Sequence, residues 1–350
     1  MEILFIIPTN GGGAEKVSIT YANILYEYNV DINILFISDK ESTVCGFLNP
    51  HISTSYINDS NKIRRYIKIW KFLKLHNPKV VFSSIHALTS LAILYKFFCK
   101  DVKVVTRQCF MPGRFGGLME GSIKLLYPFA NKNIAQTNEM RDAMIRCYNL
   151  NPQRVVVINN PVDETDIEKK ISGIKRPSCN QWRFIAVGRI APVKDYVTLI
   201  RAFYNVWLKY KCATLTIVGQ SYDVPYRELL DKLIDELGIG DNIQFIPYTS
   251  NPYIYLIESN CFVLTSLTEG LPNSLVEALY LNLPCVATEC IPFIKYNIIN
   301  KVNGYTAPIG DVEKIAEAMI NASSLYGKIS NSNRNSDIKK LIINTFKQSS

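Results

Sequence analysis

Two glutamates and two basic residues in the second half of the chain have the side-chain chemistry to hold a diphosphate and a ribose. Glu269 lies in the turn-rich segment "TSLTEGLPNS", and Glu277 follows in "LVEALYL", which predicts a helix. Arg189 and Lys194 follow the strand-like segment "FIAVG". Arginine supplies a fork for phosphate oxygens, lysine a mobile point charge, and a carboxylate accepts hydrogen bonds from ribose hydroxyls. The alternative is ordinary surface solvation, with Glu277 complementing its helix dipole.

The segment before Glu277 predicts a helix N-terminus that is open to an anion. A turn at 269–272 connects the predicted strand "CFVLTS" to the helix, and Asn273 or Ser274 is the predicted N-cap. Backbone N–H groups in a first helical turn have no acceptor within the helix. We therefore expect those near Ser274 and Leu275 to face the same cleft as the two basic residues.

Three glycines, Gly11 to Gly13, follow the first predicted strand, "MEILFIIP", and precede a helical pattern. Glycine lets backbone N–H groups approach a ligand closely, so a phosphate could bind there. A plain strand-to-helix turn is the alternative. The spacing matches neither G-x-G-x-x-G nor G-x-x-x-x-G-K-[ST], which argues against a dinucleotide oxidoreductase and a P-loop nucleoside triphosphatase.

Short β-branched runs alternate with amphipathic segments along the chain, which is typical of parallel sheets covered by helices on both faces. The predicted fold class is α/β with two Rossmann-like domains, at 1–165 and 166–330. The boundary lies in the polar segment 159–182, which contains prolines and a glycine. A final helix at about 335–350 could pack back on the first domain.

Composition excludes several classes of protein. With 350 residues and 48% hydrophobic residues, the chain can bury two cores, and no apolar run approaches the length of a membrane span. The nine cysteines form no C-x-x-C pair and have no metal-like spacing with the three histidines. We therefore expect a cytoplasmic protein with reduced thiols, no metal site and no cofactor.

The net charge of +9 is concentrated in the first half of the chain. The segment 61–79 holds seven basic residues and no acidic one, with Ile63, Ile67, Trp70 and Leu73 at helical spacing. One interpretation is a solvated charged face above a core-facing stripe, and the other is contact with anionic lipid headgroups or an anionic acceptor. Nucleic acid is a weaker option because no recognised nucleic-acid motif accompanies the charge.

The two-glutamate pattern "TEGLPNSLVEALYLNLPCVAT" resembles the signature of retaining glycosyltransferases of family 4, which have the two-domain GT-B fold. Further segments match in order along most of the chain. They are "GGGAEK", "NIAQTNEMRDAMIRCYNLNPQRVVVINNPVD", "VGRIAPVKDYVTLIRAF" and "VNGYTAPIGDVEKIAEAM". The resemblance implies parallel sheets facing across a cleft, with an acceptor-binding first domain and a nucleotide-sugar-binding second domain.

The resemblance also implies roles for residues at matching positions. Arg189 and Lys194 would hold the donor diphosphate and stabilise the leaving group, and Glu269 would act on the transferred sugar. The expected nucleotide-sugar-binding residues include these cations and lie mostly around the second glutamate: Gly13, Arg189, Lys194, Gly270, Leu271, Asn273, Ser274, Leu275 and Glu277. Glu277 would bind the ribose, and backbone N–H groups of Ser274 and Leu275 would bind phosphate. No metal is required, since fixed donors stabilise the leaving diphosphate.

Three positions depart from the family pattern. Arg107 occupies a place where some members have an acceptor-side histidine, and a guanidinium is a poor proton carrier although it could line an anionic acceptor. "ECIPFIKYN" replaces the usual glycine-rich segment after the "VAT" strand. "IVGQSYD" lacks the common second glycine. These changes affect the predicted acceptor, donor-sugar and nucleotide contacts.

The sequence thus predicts a retaining glycosyltransferase that moves a hexose or N-acetylhexosamine from a nucleotide sugar, expected to be UDP-linked. The predicted acceptor is a glycan or a polyprenyl-diphosphate-linked glycan in O-antigen, capsule or exopolysaccharide synthesis. The segments 61–79 and 110–132 predict peripheral docking on an anionic inner membrane surface. The alternatives are a GT-B nucleotide-sugar 2-epimerase and a non-catalytic nucleotide-sugar-binding partner of an assembly complex.

Overall fold

The computed structural model describes residues 2–8, 12–37, 46–113, 117–176, 182–329 and 335–347. The chain divides into two compact units. The first comprises Met1–Asp163 with Asn333–Ser350, and the second is Glu164–Ser332. The sequence-based boundary was placed two residues later, at 165.

The first unit is a parallel sheet with helices on both faces. Its strands in the described residues are β1 (Ile3–Pro8), β2 (Ile32–Ile37), β3 (Ser53–Ile57), β4 (Val80–Ser83), β5 (Lys103–Arg107), β6 (Lys132–Ala135) and β7 (Val155–Val157). Its helices there are α1 (Gly13–Glu27), α2 (Lys62–His76), α3 (His86–Phe98), α4 (Gly117–Leu126), α5 (Asn138–Tyr148) and α13 (Asn335–Lys347). The strand order is β3-β2-β1-β4-β5-β6-β7. Hydrophobic clusters cover both faces of the sheet, which explains the continuous apolar runs in its central strands.

Helix α13 packs on the first unit although it follows the second in sequence. The Phe346 ring is fully buried and lies 5.7 Å from the Phe5 ring and 5.4 Å from the Phe82 ring. Tyr21 of α1 meets the same ring edge-on at 6.3 Å. This helix therefore supplies part of the first unit's core.

The second unit repeats the architecture with a smaller sheet. Its described strands are β8 (Arg183–Val187), β9 (Thr214–Val218), β10 (Ile243–Ile246), β11 (Cys261–Leu264), β12 (Cys285–Thr288) and β13 (Gly304–Ala307). Its described helices are α6 (Glu164–Ile171), α7 (Tyr196–Lys209), α8 (Val224–Leu237), α9 (Tyr253–Ile257), α10 (Asn273–Tyr280), α11 (Pro292–Asn297) and α12 (Val312–Ser323). All strands pair in parallel, in the order β10-β9-β8-β11-β12-β13.

The predicted α/β class with two Rossmann-like units is confirmed, and two strands were missed. β3 and β13 are edge strands that each pair with one neighbour. Only Ile57 of β3 is buried, and β13 begins with a glycine that lies against the carbonyl of Cys285. Neither segment has the apolar run of a central strand, so the pattern that predicted the other strands was absent.

Of the two interpretations of the α2 segment, the core-facing stripe of Ile63, Ile67, Trp70 and Leu73 holds for Leu73 and in part for Trp70. Ile69 and Leu73 are fully buried, whereas Ile63 is 72% exposed and Ile67 is 51% exposed. Ile69 and Leu73 are four residues apart, so α2 meets the core along one narrow line. The other apolar residues of the predicted stripe face solvent, except for Trp70, which is partly buried.

Strand order reverses between β1 and β4 in the first sheet and between β8 and β11 in the second. In open parallel sheets, ligands bind beyond the carboxyl ends of the strands at such switch points. In the second unit, β8 and β11 pair through Cys261 with Phe184 and Phe262 with Ile185. Segments that are far apart in sequence therefore leave the sheet side by side.

Candidate functional site

The switch point of the second sheet brings together Lys194 and Glu269. Lys194 Nζ lies 2.6 Å from Glu269 Oε1, and their side chains are 17% and 13% exposed. Arg189 follows β8 by one glycine and is exposed at the same strand end. Two of the predicted charged residues therefore contact each other directly, and the third lies in the same short loop as Lys194.

Hydrogen bonds fix the loop that carries Lys194. Residues 192–194 form a 3₁₀ turn, and Asp195, with a φ of 49°, caps α7 by accepting a bond from the N–H of Thr198. Thr265 Oγ1 lies 2.9 Å from the carbonyl oxygen of Lys194 and 3.1 Å from that of Asp195. The loops after β8 and β11 are thus tied together, which positions the lysine beside the glutamate.

Two glycines leave room for the close packing around the end of β8, where the Lys194 side chain lies. A Cβ atom at Gly188 would lie 3.2 Å from Cε of Lys194, so the lysine stem crosses directly over this residue. At Gly219, the residue after β9, a Cβ would lie only 1.9 Å from the Gly188 carbonyl oxygen. No side chain fits there without moving the backbone.

Glu269 lies in a partly enclosed, hydrogen-bonded environment. Ser266 Oγ donates to Glu269 Oε1 at 2.6 Å, and Thr288 Oγ1 donates to the Ser266 carbonyl at 2.7 Å. Burial raises the pKa of the nearby Cys290 thiol to about 11, and the charge of Glu269 adds to the increase. Tyr196 donates to the Gly188 carbonyl at 3.1 Å, and burial raises its pKa. A single carboxylate oxygen therefore accepts bonds from an ammonium group and a hydroxyl.

Helix α10 starts one or two residues earlier than the sequence predicted, depending on which of the two proposed caps is compared. Its N-cap is Pro272, in extended conformation, so Asn273 is the first helical residue and neither Asn273 nor Ser274 is the cap. Proline fixes its own φ and readily precedes a helix, which explains the shift. Glu277 consequently lies in the second turn of α10, and only 8% of it is exposed.

The start of α10 offers fewer open backbone groups than predicted. The N–H of Leu275 donates to the Pro272 carbonyl at 3.2 Å, and the Leu275 side chain is fully buried. Leu271 is also buried, whereas Gly270 is partly exposed. The Ser274 N–H belongs to the first turn, where helical N–H groups have no intrahelical acceptor. Ser274 is therefore better suited than Leu275 to bind an anion.

A cavity adjoins Arg189 on the side of β9. It has a volume of about 460 Å³ and is lined by Arg189, Ile190, Ala191, Tyr222, Asp223, Val224 and Pro225. The side chain of Asp223 caps α8 by accepting a bond from the Tyr226 N–H at 3.0 Å. Sequence reasoning identified the departure in "IVGQSYD" but assigned no role to Tyr222, which is 77% exposed.

In the first unit, Gly13 is the first residue of α1, and Gly11 lies outside the described residues. The carboxylate of Glu15 folds back on this helix start, because a Cβ at Gly12 would lie 2.6 Å from Glu15 Oε2. Glu15 is 5% exposed. A phosphate at Gly13 would meet this negative charge, which the glycine pattern did not reveal.

Arg107 is enclosed within the first unit, contrary to the expectation of a cation lining the acceptor side. It is 2% exposed, its Nη2 donates to Asn160 Oδ1, and its Nη1 lies 3.2 Å from Cys109 Sγ. Burial raises the pKa of Tyr21 to about 12, while the adjacent Arg107 charge opposes the increase. The side chain ends a buried strand and bonds inward, so it is not presented to a ligand.

No group of three or more His, Cys, Asp or Glu residues has a metal-binding arrangement in the part of the chain that the structure describes. The charged cluster after β8 and β11 consists of an exposed guanidinium, an ammonium and a carboxylate. Such a set can bind a diphosphate and hydrogen-bond a sugar hydroxyl.

Two doubly wound parallel sheets, one of them with two cations at its switch point, are typical of nucleotide-binding proteins. The family described as "Glycosyl transferases group 1" matches residues 168–338, and "Glycosyltransferase Family 4" matches residues 12–166. Between them the two matches span nearly all of the chain. The chain therefore belongs to glycosyltransferase family 4.

Two curated relatives agree with this assignment. Over 248 residues the chain is 30% identical to an uncharacterized glycosyltransferase of Methanocaldococcus jannaschii, an alignment covering 65% of this chain and 60% of the relative. Over 301 residues it is 25% identical to the N-acetylgalactosamine-N,N'-diacetylbacillosaminyl-diphospho-undecaprenol 4-alpha-N-acetylgalactosaminyltransferase of Campylobacter jejuni. That alignment covers 82% of this chain and 80% of the relative.

A solved structure supports the fold. The crystal structure of Anabaena HepE in complex with UDP-glucose superposes with a TM-score of 0.78 and 18% identity, covering 99% of this chain and 100% of that one. At this identity the likeness establishes the fold alone. The predicted GT-B fold and the glycosyltransferase class are thus confirmed.

Proposed function

We propose that this glycosyltransferase transfers a hexose or N-acetylhexosamine from a UDP-sugar, with retention of configuration, to a polyprenyl-diphosphate-linked glycan in bacterial surface polysaccharide synthesis. The observation that carries the donor assignment is the cluster of Arg189, Lys194 and Glu269 at the switch point of the second sheet. The UDP-glucose bound by HepE supports a UDP-linked donor. The retaining outcome rests on the resemblance of the two-glutamate segment.

The charges of the cluster suit the departure of a nucleoside diphosphate. As the glycosidic bond breaks, negative charge develops on the departing phosphate oxygens, and positive groups already held in place stabilise it. Lys194 is fixed by the loop bonds described above, and Arg189 adds a second cation from the same loop. Glu269 accepts a hydrogen bond from the transferred sugar, and Glu277 binds the ribose. No metal or other cofactor is needed in this proposal.

The ion pair between Lys194 and Glu269 implies an exchange of partners during donor binding. A diphosphate competes with the Glu269 carboxylate for the ammonium group, because both are anions within reach of Nζ. Glu269 is then available for a hydroxyl of the sugar. Donor binding and positioning of the glutamate are coupled in this way.

The acceptor assignment draws on the Campylobacter relative, whose name specifies a diphospho-undecaprenol substrate. A lipid-linked acceptor stays at a membrane, so we propose peripheral association with an anionic inner membrane surface. No described helix combines the length and the apolar character that a bilayer crossing requires.

Calorimetric titration with UDP tests the donor site. We expect Arg189→Ala and Glu277→Ala each to weaken UDP binding by about 10- to 100-fold, as loss of a hydrogen bond to a charged group typically costs about 1.5 to 3 kcal/mol. Arg201→Ala is the matched control, because Arg201 is also exposed and lies on α7 of the same unit. Unchanged affinity in both site variants would overturn the proposed donor site.

A transfer assay tests the reaction itself. The full chain is incubated with a UDP-sugar and a short-chain, water-soluble polyprenyl-diphosphate glycan, and the product is identified by mass analysis and its anomeric configuration by NMR. We expect an α-linked product from an α-linked donor. Binding of UDP without release of UDP from any UDP-sugar would instead identify a non-catalytic binding partner.

A further inference from the structure

The backbone that carries Lys194 is held partly by a residue outside the charged cluster. Two peptide groups join Lys194, Asp195 and Tyr196, and each has a carbonyl and an N–H. Thr265 Oγ1 lies 2.9 Å from the first carbonyl oxygen and 3.1 Å from the second. The N–H of Asp195 closes the preceding 3₁₀ turn. The N–H of Tyr196 donates to the hydroxyl oxygen of Tyr226 at 2.9 Å.

Tyr226 supplies this contact from a different helix. It is the third residue of α8 and lies 30 residues after Tyr196 in sequence. Tyr196 is the first residue of α7, where a backbone N–H has no acceptor within the helix. The Tyr226 side chain is half-buried, and burial raises the pKa of its hydroxyl, which therefore stays protonated at neutral pH. Helix α8 thus provides the acceptor that the start of α7 lacks.

The backbone conformation of Asp195 depends on such support. Its φ is 49°, in the left-handed region that residues other than glycine adopt at a cost in energy. A conformation of this kind persists where the surrounding bonds hold it. The peptide group between Asp195 and Tyr196 is held at both ends, by Thr265 at its carbonyl and by Tyr226 at its N–H. The direction in which the Lys194 side chain leaves the loop therefore depends on both contacts.

The Tyr196 side chain extends this support to the end of β8, where the Lys194 side chain crosses. The Tyr196 hydroxyl donates to the Gly188 carbonyl at 3.1 Å, and the residue is 3% exposed. A Cβ atom at Gly188 would lie 3.4 Å from the Tyr196 hydroxyl oxygen and 3.4 Å from Lys194 Nζ. Both polar groups therefore flank the same glycine, and the position of one limits the position of the other.

Tyr226 also adjoins the cavity beside Arg189 without lining it. One wall of that cavity is residues 222–225, and Asp223 Oδ1 accepts a bond from the Tyr226 N–H at 3.0 Å. The lining ends at Pro225, and the Tyr226 hydroxyl reaches α7 instead. Tyr226 therefore acts on the loop of Lys194 through the backbone, and it is not placed to contact a ligand itself.

We propose that Tyr226 is a positioning residue for the transfer reaction: by accepting the N–H of Tyr196 it fixes the start of α7, and with it the ammonium group of Lys194. This inference rests on the proposed function for its purpose, since Lys194 acts there on the departing diphosphate. The negative charge that Lys194 meets is greatest as the glycosidic bond breaks, so loss of Tyr226 affects the transition state more than donor binding.

The variant Tyr226→Phe tests this role by removing a single oxygen atom. In the transfer assay we expect kcat to fall about 3- to 10-fold, the size expected for loss of one hydrogen bond between uncharged groups. KM for the UDP-sugar should change by less than about twofold. kcat is expressed per UDP-binding site, counted by calorimetric titration, so that a loss of folded protein does not imitate the effect. Tyr210→Phe is the matched control, because Tyr210 follows α7 and stacks on Trp182.

A second variant shows whether Tyr226 acts through Lys194. In the Lys194→Met background, Tyr226→Phe should lower kcat by less than about twofold, since the group that it positions is absent. A loss of kcat as large as in the unmodified chain would show that Tyr226 has a general structural role, and it would overturn the proposal.

Chemical labelling of Lys194 gives a readout that does not depend on transfer. Acetic anhydride acetylates neutral amines, so an ammonium group held against a carboxylate reacts slowly. In trace labelling at about pH 8, Lys194 of Tyr226→Phe should react at least about threefold faster than Lys194 of the unmodified chain, measured by peptide mass analysis. The exposed Lys209 and Lys232 are internal references and should react equally in both proteins.

The outcomes separate this inference from the proposed function. Faster labelling of Lys194 in the variant, with no transfer by the unmodified chain, counts against the function alone. Unchanged labelling of Lys194 overturns the positioning role, whatever the transfer assay gives. Faster labelling with an unchanged kcat also overturns it, because the reaction then does not depend on the position of Lys194. If circular dichroism shows that Tyr226→Phe does not fold, Tyr196→Phe tests the same support from its other end, with the same readouts and criteria.

Discussion

The two units both place charged residues at the carboxyl ends of parallel strands, and the surroundings of these residues differ. In the second unit, Lys194 and Glu269 are partly exposed and Arg189 is open to solvent. In the first unit, Arg107 is 2% exposed and Glu15 is 5% exposed. The sheet topology is similar in both cases, so topology alone does not decide whether a strand-end charge meets a ligand.

What differs is the access that a ligand has to each charge. Arg107 is enclosed by its own unit, where it donates to Asn160 and contacts Cys109, and its buried Nε has no hydrogen-bond partner among the described residues. Lys194 is partly exposed and pairs with the carboxylate of Glu269. A ligand can therefore reach the charge of Lys194, whereas the charge of Arg107 is enclosed.

The largest expected effect that distinguishes the two regions is on stability. Arg107→Met should lower the free energy of unfolding by about 3 kcal/mol, because a buried guanidinium and its hydrogen bonds are lost. Arg189→Met should change it by less than about 0.5 kcal/mol, as expected for an exposed residue. Urea denaturation followed by circular dichroism measures both. Equal losses of unfolding free energy in the two variants would contradict the proposed difference between Arg107 and Arg189.

An intermediate effect is expected for the ion pair of the second unit. A double-mutant cycle with Lys194→Met and Glu269→Gln should give a coupling energy of about 1 to 2 kcal/mol in the ligand-free protein. The Lys314–Glu317 pair, with a similar separation of 2.9 Å but side chains that are 61% and 60% exposed, should give about 0.5 kcal/mol or less. A coupling no larger than that of the control pair would show that the contact does not persist in solution.

The smallest effect concerns the thiol beside Glu269. The pKa of the Cys290 thiol, about 11, lies above the ordinary value of 9.0. The contribution of this thiol to the free energy of unfolding is therefore fully present below pH 9 and is lost as the pH rises toward 11. Removing the carboxylate charge with Glu269→Gln should lower this pKa and speed alkylation of Cys290 at pH 9, measured by peptide mass analysis. Alkylation of the exposed Cys212 serves as the internal control and should not change.

The sequence was sufficient for the central strands and insufficient for contacts between distant segments. β1, β4, β8 and β11 are continuous apolar runs, because both faces of each sheet are covered. β3 and β13 lie at sheet edges and lack that signal. On α2 the periodicity was real, but Ile63 and Ile67 face outward, since local spacing does not say which side meets the core.

The candidate site was also predicted only in part: the residues were identified, and the contacts between them were not. Residue types predicted that Arg189, Lys194 and Glu269 could serve one ligand, and the family resemblance strengthened this. The direct bond from Lys194 to Glu269 joins positions 75 residues apart and depends on the pairing of β8 with β11. The enclosure of Arg107 depends on Asn160, 53 residues away. Neither partner could be identified from local sequence.

The position of Phe346 has a consequence for how the protein is made. Residues 335–347 leave the ribosome after the entire second unit, yet Phe346 fills space between Phe5, Tyr21 and Phe82 in the first. The unit that is translated first is therefore the one whose interior is completed last. During synthesis, the rings of Phe5, Tyr21 and Phe82 lack their contact with Phe346 until the second unit and then α13 have emerged.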